Sequence, residues 1–155
     1  MIWFRHPASP NTYSSHSNDE SVMIKYQPHD RPFAESSEQN KQVILEVIQP
    51  LLREAKNLLE IASGTGQHAL YFAQTMTHLS WQPSDLKASL SGISSWIADS
   101  IHQNIRSPLA LDVSSDPWPN EQFDAVFTAN SFHIMNTQNV EDLFRNLSTV
   151  IKPNG

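Results

Sequence analysis

Asn57-Leu58-Leu59-Glu60-Ile61-Ala62-Ser63-Gly64-Thr65-Gly66-Gln67-His68 joins an apolar strand to a small-residue turn and then to a helix. The strand carries one carboxylate, Glu60, to its carboxyl end. Glycines in the turn permit a sharp bend and the close approach of a ligand to the main chain. The helix expected over Gln67–Met76 aims free N–H groups at whatever lies above the turn. This order suits a nucleotide-like ligand bound beyond the strand ends of an open α/β sheet.

The same alternation continues on both sides. Ser36 or Ser37 is placed to cap a helix from about Glu38 to Lys56, which Pro50 should kink or split. Its apolar stripe, Val43, Val47 and Leu51 with Ile44, Ile48 and Leu52, has helical spacing and reads as a core-covering face. Ser80–Pro83 reads as a second strand and Leu86–Ile101 as a second helix, with Leu86, Leu90, Ile93, Ile97 and Ile101 in period. Pro108–Leu111 gives a third strand, and Phe123–Ala129 a buried parallel fourth. Val140–Ile151 is amphipathic and is ended by Pro153-Asn154-Gly155. Such alternation predicts an α/β fold, a Rossmann-like, doubly wound and mostly parallel sheet.

Two ligands compete for the turn. Gly64-Thr65-Gly66-Gln67-His68-Ala69 fits the dinucleotide fingerprint, and Asp85 follows at the spacing of a ribose-hydroxyl partner. A third acid, Asp112, ends the run Pro108-Leu109-Ala110-Leu111. Glu60 decides between them, because a carboxylate at the tip of the first strand repels a pyrophosphate seated on the helix N-terminus. S-adenosylmethionine instead offers a sulfonium and an ammonium and has no phosphate. On that reading Glu60 acts near the amino end, Asp85 accepts from both ribose hydroxyls, and Asp112 accepts from the adenine amino group.

Glu60-Ile61-Ala62-Ser63-Gly64-Thr65-Gly66 resembles motif I, E-x-G-x-G-x-G, of class I S-adenosylmethionine-dependent methyltransferases. More narrowly, five segments resemble the methyltransferase-like proteins grouped as domain of unknown function 938, which include the methyltransferase-like protein 26 group. They are Asp30-Arg31-Pro32-Phe33-Ala34, Glu38-Gln39-Asn40-Lys41, Ser63–His68, Trp81-Gln82-Pro83-Ser84-Asp85 and Leu109-Ala110-Leu111-Asp112-Val113. The resemblance runs from about Met23 to Gly155 and implies an S-adenosylmethionine-binding domain acting on a small molecule. It implies cofactor contacts from Glu60, Ala62, Ser63, Gly64, Thr65, Gly66, Asp85, Leu86, Asp112, Val113 and Asn130. Asn40, Gln67 and His68 fall on the substrate side. Ala62 replaces the motif's first glycine, which is harmless at negative φ and strained at positive φ. Gln39 stands where an arginine is expected, removing a cation from the substrate side.

Methyl transfer needs an acceptor held in line with the sulfonium, and a base assists. Asn130 and His133, beyond the fourth strand, are the candidates, although a histidine there is commonly a packed residue. Trp81 and Trp118 read as core before they read as adenine-flanking walls. The seven histidines form no H-x₃-H or H-E-x-x-H pattern, so no metal is expected. No G-x-S-x-G elbow is present.

Composition excludes several partners. A net charge of −6 argues against a nucleic-acid backbone, and no apolar run approaches a bilayer span. Zero cysteines exclude disulfides and thiolate chemistry. The expected setting is the cytoplasm. Residues 1–22 read as a disordered leader, with Met23 as the natural start of a methyltransferase-like domain over 23–155. Four strands fall short of the seven in the class I order 3-2-1-4-5-7-6, so a truncated domain of reduced stability with an unpaired fourth-strand edge is expected. Alternatives are a non-catalytic methyltransferase-fold remnant or binding protein and, after it, an NAD(P)-dependent oxidoreductase. Nothing in the sequence reports oligomeric state.

Overall fold

The computed structural model describes residues 31–153, so the expected leader, the Met23 start and the Asn154-Gly155 stop lie outside the described residues. Four parallel strands form one sheet in the order β3-β2-β1-β4: β1 Asn57–Ile61, β2 Ser80–Asp85, β3 Leu109–Ala110 and β4 Ala125–Phe127. Four helices alternate with them: α1 Glu35–Leu51, α2 Gln67–Thr75, α3 Leu90–Ile97 after a 3₁₀ turn at Lys87–Ser89, and α4 Thr137–Val150. The predicted Rossmann-like α/β class is therefore observed.

β1 is central and buried from Leu58 onward, as a parallel strand covered on both faces requires. Alternation sends its side chains to opposite sides. Leu58 joins Leu45, Leu52, Phe72, Met76, Leu79 and Trp81 beneath α1 and α2. Leu59 and Ile61 join Leu111, Val113, Phe123, Leu143 and Val150 beneath α4.

Several elements differ from the expectations. α1 starts at Glu35 with Ala34 as its N-cap, so neither Ser36 nor Ser37 caps it. Pro50 falls in the last turn and ends the helix at Leu51 instead of splitting it. Leu45, Ile44, Ile48 and Leu52 face the core, whereas Val43, Val47 and Leu51 are exposed, Leu51 by 77%. The second helix is shorter than Leu86–Ile101. Ser91, Gly92, Ser94 and Ser95 are weak helix formers, and Leu86 and Ile101 are solvent-facing. The fourth strand covers only Ala125–Phe127 and is half-buried, because among the described residues β4 has β1 on one side and only an isolated parallel bridge, Phe123 to Ile151, on the other. α4 starts three residues early on an Asn136–Asn139 capping box.

The amino-terminal edge of the sheet is clasped by charge. Asp124 Oδ2 accepts from the backbone N–H groups of Lys56 (2.7 Å) and Asn57 (3.0 Å), and Oδ1 accepts from Lys152 Nζ (2.6 Å). The Lys152 ammonium and these amides hold the Asp124 carboxyl down at about 2. Arg106 grips Glu121 through two hydrogen bonds at the same end.

Candidate functional site

At the opposite, carboxyl-terminal edge a cleft of about 410 Å³ opens where the strand order reverses between β1 and β4. That is the switch point at which open α/β sheets take ligands, and the volume lies within the roughly 300–1,000 Å³ of small-molecule sites. The turn after β1 forms its floor. Ala62 (φ 57°) and Gly64 (φ 61°) both adopt left-handed backbone, so the alanine replacing the motif's first glycine is strained. Asn130 (φ 55°) does the same beyond β4, with a side chain that tolerates it. Ala62 and Asn130 are the two non-glycine positive-φ positions among the described residues, and both line the cleft.

Two seryl groups lock the turn onto β2. Ser63 Oγ donates to Glu60 Oε2 (3.0 Å) while accepting from the Ser84 N–H (3.1 Å), and Ser84 Oγ donates to the Glu60 carbonyl (2.6 Å). Asp85 secures the turn from the side: its Oδ2 accepts from the Gly64 N–H (2.7 Å) and its Oδ1 from the Leu86 N–H (2.7 Å). Each oxygen keeps acceptor capacity for a ligand hydroxyl. Asp112 accepts from the Ser114 N–H (3.0 Å) on the third strand tip. Glu60, Asp85 and Asp112 thus meet at one cleft, with no lysine or arginine among its described lining residues.

Glu60 is only 2% exposed. Its Oε2 also accepts from the Trp81 indole N–H (2.9 Å). Burial, reinforced by the Asp85 charge, pushes the carboxyl up to about 7 against the pull of those two donors. Trp81 itself is fully buried against Phe72 and Phe127, so it is core and not an adenine wall. Trp118 donates to the Val113 carbonyl and does not line the cleft.

Of the residues expected here, Glu60, Ala62, Ser63, Gly64, Thr65, His68, Asp85, Leu86, Asp112, Val113, Asn130 and His133 all line the cleft. Gly66, Gln67 and Asn40 do not. Gly66 (φ 91°) serves packing, since a Cβ there would lie 3.0 Å from the Ile93 Cα. Gln67 is buried and braces α1, its Oε1 accepting from the Ala34 N–H (2.6 Å) and the Thr65 hydroxyl (3.0 Å). Asn40 holds His68, whose Nε2 donates to Asn40 Oδ1 (2.8 Å) and the Ser37 carbonyl (3.2 Å). Because a carbonyl only accepts, Nε2 carries the proton and Nδ1 the lone pair. Burial lowers the His68 pKa and keeps the ring neutral. Gln39 points to solvent and bonds Glu35, away from the cleft.

Ser36, Ser37, Ile134, Met135 and Asn139 also line the cleft. Ser36 and Ser37 read as caps from sequence alone, and the Asn136-x-x-Asn139 pair was the one available signal for Asn139. A strap over Arg31–Ala34 brings α1 to this edge. The Arg31 guanidinium lies 3.7 Å above the Trp96 ring and pairs with Asp99, and the Trp96 indole donates to the Pro32 carbonyl (2.6 Å). Among the described residues no His, Asp or Glu cluster offers a metal site, and no helix is long and apolar enough to cross a membrane.

This architecture is that of the class I methyltransferase fold. It matches the S-adenosylmethionine-dependent methyltransferase SibL in its apo form, with a TM-score of 0.68 and 22% identity over 77% of this chain and 34% of that one. It also matches the glycopeptide N-methyltransferase MtfA complexed with sinefungin (TM-score 0.64, 15% identity, 75% of this chain, 47% of that). Human N-acetylserotonin methyltransferase in complex with S-adenosylmethionine gives a TM-score of 0.63 at 17% identity, over 78% of this chain and 33% of that. The chain spans about a third to a half of these proteins. Over residues 31–155 it matches the family described as protein of unknown function (DUF938), and it belongs to that family.

Proposed function

We propose that this chain binds S-adenosylmethionine and supplies the cofactor half of a methyl transfer to a small-molecule acceptor in the cytoplasm. One observation carries the reading: three carboxylates and no lysine or arginine among the described residues of the cleft. A phosphate-bearing coenzyme meets repulsion there, whereas an ammonium, two ribose hydroxyls and an adenine amino group each meet an acceptor. Glu60 takes the ammonium, Asp85 the ribose, and Asp112 the adenine amino group. Gly64 and Thr65 allow the ligand to approach the turn.

The cofactor when bound supplies an electrophilic methyl group. This chain's residues supply position. Asn130 orients the acceptor by hydrogen bonding, and His133 takes the acceptor's proton at the cleft mouth. His68 presents a neutral imidazole as a further acceptor on the wall nearest α1. Isothermal calorimetry with S-adenosylmethionine, S-adenosylhomocysteine and NAD tests the reading. Binding of the first two and not the third is expected. NAD binding in preference, or no binding of the adenosyl ligands by folded protein, refutes it.

A further inference from the structure

We propose that Trp81 is a positioning residue for the cofactor site: its indole N–H, with the Ser63 hydroxyl, ties Oε2 of Glu60 down so that Oε1 alone meets the ligand's ammonium. The inference rests on the adenosyl-ligand reading and concerns how that end of the ligand is held. Both donors reach the same oxygen, Trp81 at 2.9 Å and Ser63 at 3.0 Å. Oε1 accepts no hydrogen bond among the described residues. It is not sealed either, because among all the described residues the one enclosed, unpartnered side-chain polar atom is Asn104 Oδ1, away from the cleft. Glu60 lines the cleft, and Oε1 is the carboxylate oxygen that the protein donors leave to a ligand there.

Trp81 is well placed for this task. It stands on β2 in register with Leu58, two positions before the Pro83 that pairs with Glu60. Phe72 and Phe127 pack its ring at centroid distances of 5.7 and 5.9 Å, which fixes the direction of its N–H. Both donors are neutral. They orient the carboxylate without cancelling its charge, leaving that charge for a cation arriving from the cleft.

Proton coupling follows. The ionisable groups at the cleft are Asp85 from β2, Asp112 after β3, His68 from α2 and His133 after β4; α1 contributes only Ser36 and Ser37. None is a fixed cation, and Asp85 opposes ionisation of Glu60. Ammonium binding therefore drives the proton off Glu60. Affinity for the ligand should climb as the pH rises to about 7, where half of the buried acid is ionised in the free protein, and level off above it.

The test uses the full chain, S-adenosylhomocysteine as probe, and calorimetric titrations from about pH 5.5 to 9. Trp81→Phe keeps the aromatic packing and removes the N–H. It should shift the affinity profile to higher pH, weakening binding about tenfold near pH 7 and little near pH 9. Ser63→Ala should shift it the same way, and Glu60→Gln should flatten it. Superimposable profiles for wild type and Trp81→Phe overturn the proposal. If Trp81→Phe fails to fold, the indole N–H resonance of Trp81 in the free wild-type chain decides. It should titrate near neutral pH and stop doing so in Glu60→Gln; an invariant resonance overturns the assignment. Absence of probe binding at every pH refutes the ligand reading itself, and the indole titration distinguishes that failure from a wrong role for Trp81.

Discussion

Replacing Glu60 with glutamine should make the free protein more stable at neutral pH while damaging its site. The folded acid titrates at about 7 against an ordinary 4.5, a gap of roughly 2.5 units, or about 3 kcal/mol at 1.36 kcal/mol per unit. The sign follows from the direction. A raised carboxyl contributes fully to stability below about pH 4.5, and that contribution disappears as the pH climbs through 7. Glutamine has no proton to lose. Turned so that its carbonyl faces Trp81 and Ser63, it accepts both hydrogen bonds and points its NH₂ into the cleft, where an ammonium finds a donor instead of an acceptor. Urea unfolding at pH steps from 5 to 8 measures the effect. Wild type should lose about 2–3 kcal/mol relative to Glu60→Gln across that range. His68, held low by burial, acts in the opposite direction in both proteins and cancels in the difference. A stability difference that does not change with pH would refute the burial argument.

Asp85→Ala removes acceptors from both the turn and the ribose. S-adenosylhomocysteine affinity should fall by about 1–3 kcal/mol, read by calorimetry. Gly66→Ala combines a left-handed φ of 91° with a Cβ 3.0 Å from the Ile93 backbone. It should destabilise the fold by about 2–4 kcal/mol in chemical denaturation. Gly92→Ala sets a Cβ 2.6 Å from the Pro32 Cγ and should lift the strap from α3. Faster limited chymotryptic cleavage after the exposed Phe33, with the midpoint of global unfolding little changed, is the expected result. Arg31→Ala should act in the same direction through loss of its stacking on Trp96.

The parallel sheet and the location of the cleft were legible from local signals, while the strand order followed from the resemblance to class I methyltransferases. Leu58, Leu59 and Ile61 write a buried strand, Gly64 and Gly66 write a turn, and Asp85 and Asp112 close the next two strands. What could not be read depends on register and on partners distant in sequence. The Trp81–Glu60 bond requires β1 and β2 to pair with Glu60 opposite Pro83. Gln67 reads as a substrate residue from its place after the turn and Asn40 from its place near the start of the first helix, yet their amide oxygens fasten α1 to α2 across about thirty residues. The cost of Pro50 depends on its distance from the helix end, which the apolar period does not specify. It is small in a last turn. The sign of φ at Ala62 lies outside composition altogether.

The charged clasp on Asp124 gives the sheet two mechanically unlike rims. One is riveted by ion pairs and amides that join residues as far apart as Lys56 and Lys152. The other carries backbone tension at Ala62 and a carboxyl group out of its natural ionisation state. An arriving ligand therefore acts on a rim held by neutral hydrogen bonds and one carboxylate, while the ion-paired rim keeps the strands in register. Amide exchange should record this as ligand-indifferent protons near Asn57 and as protons around Gly64, held by Asp85, whose exchange slows further on loading.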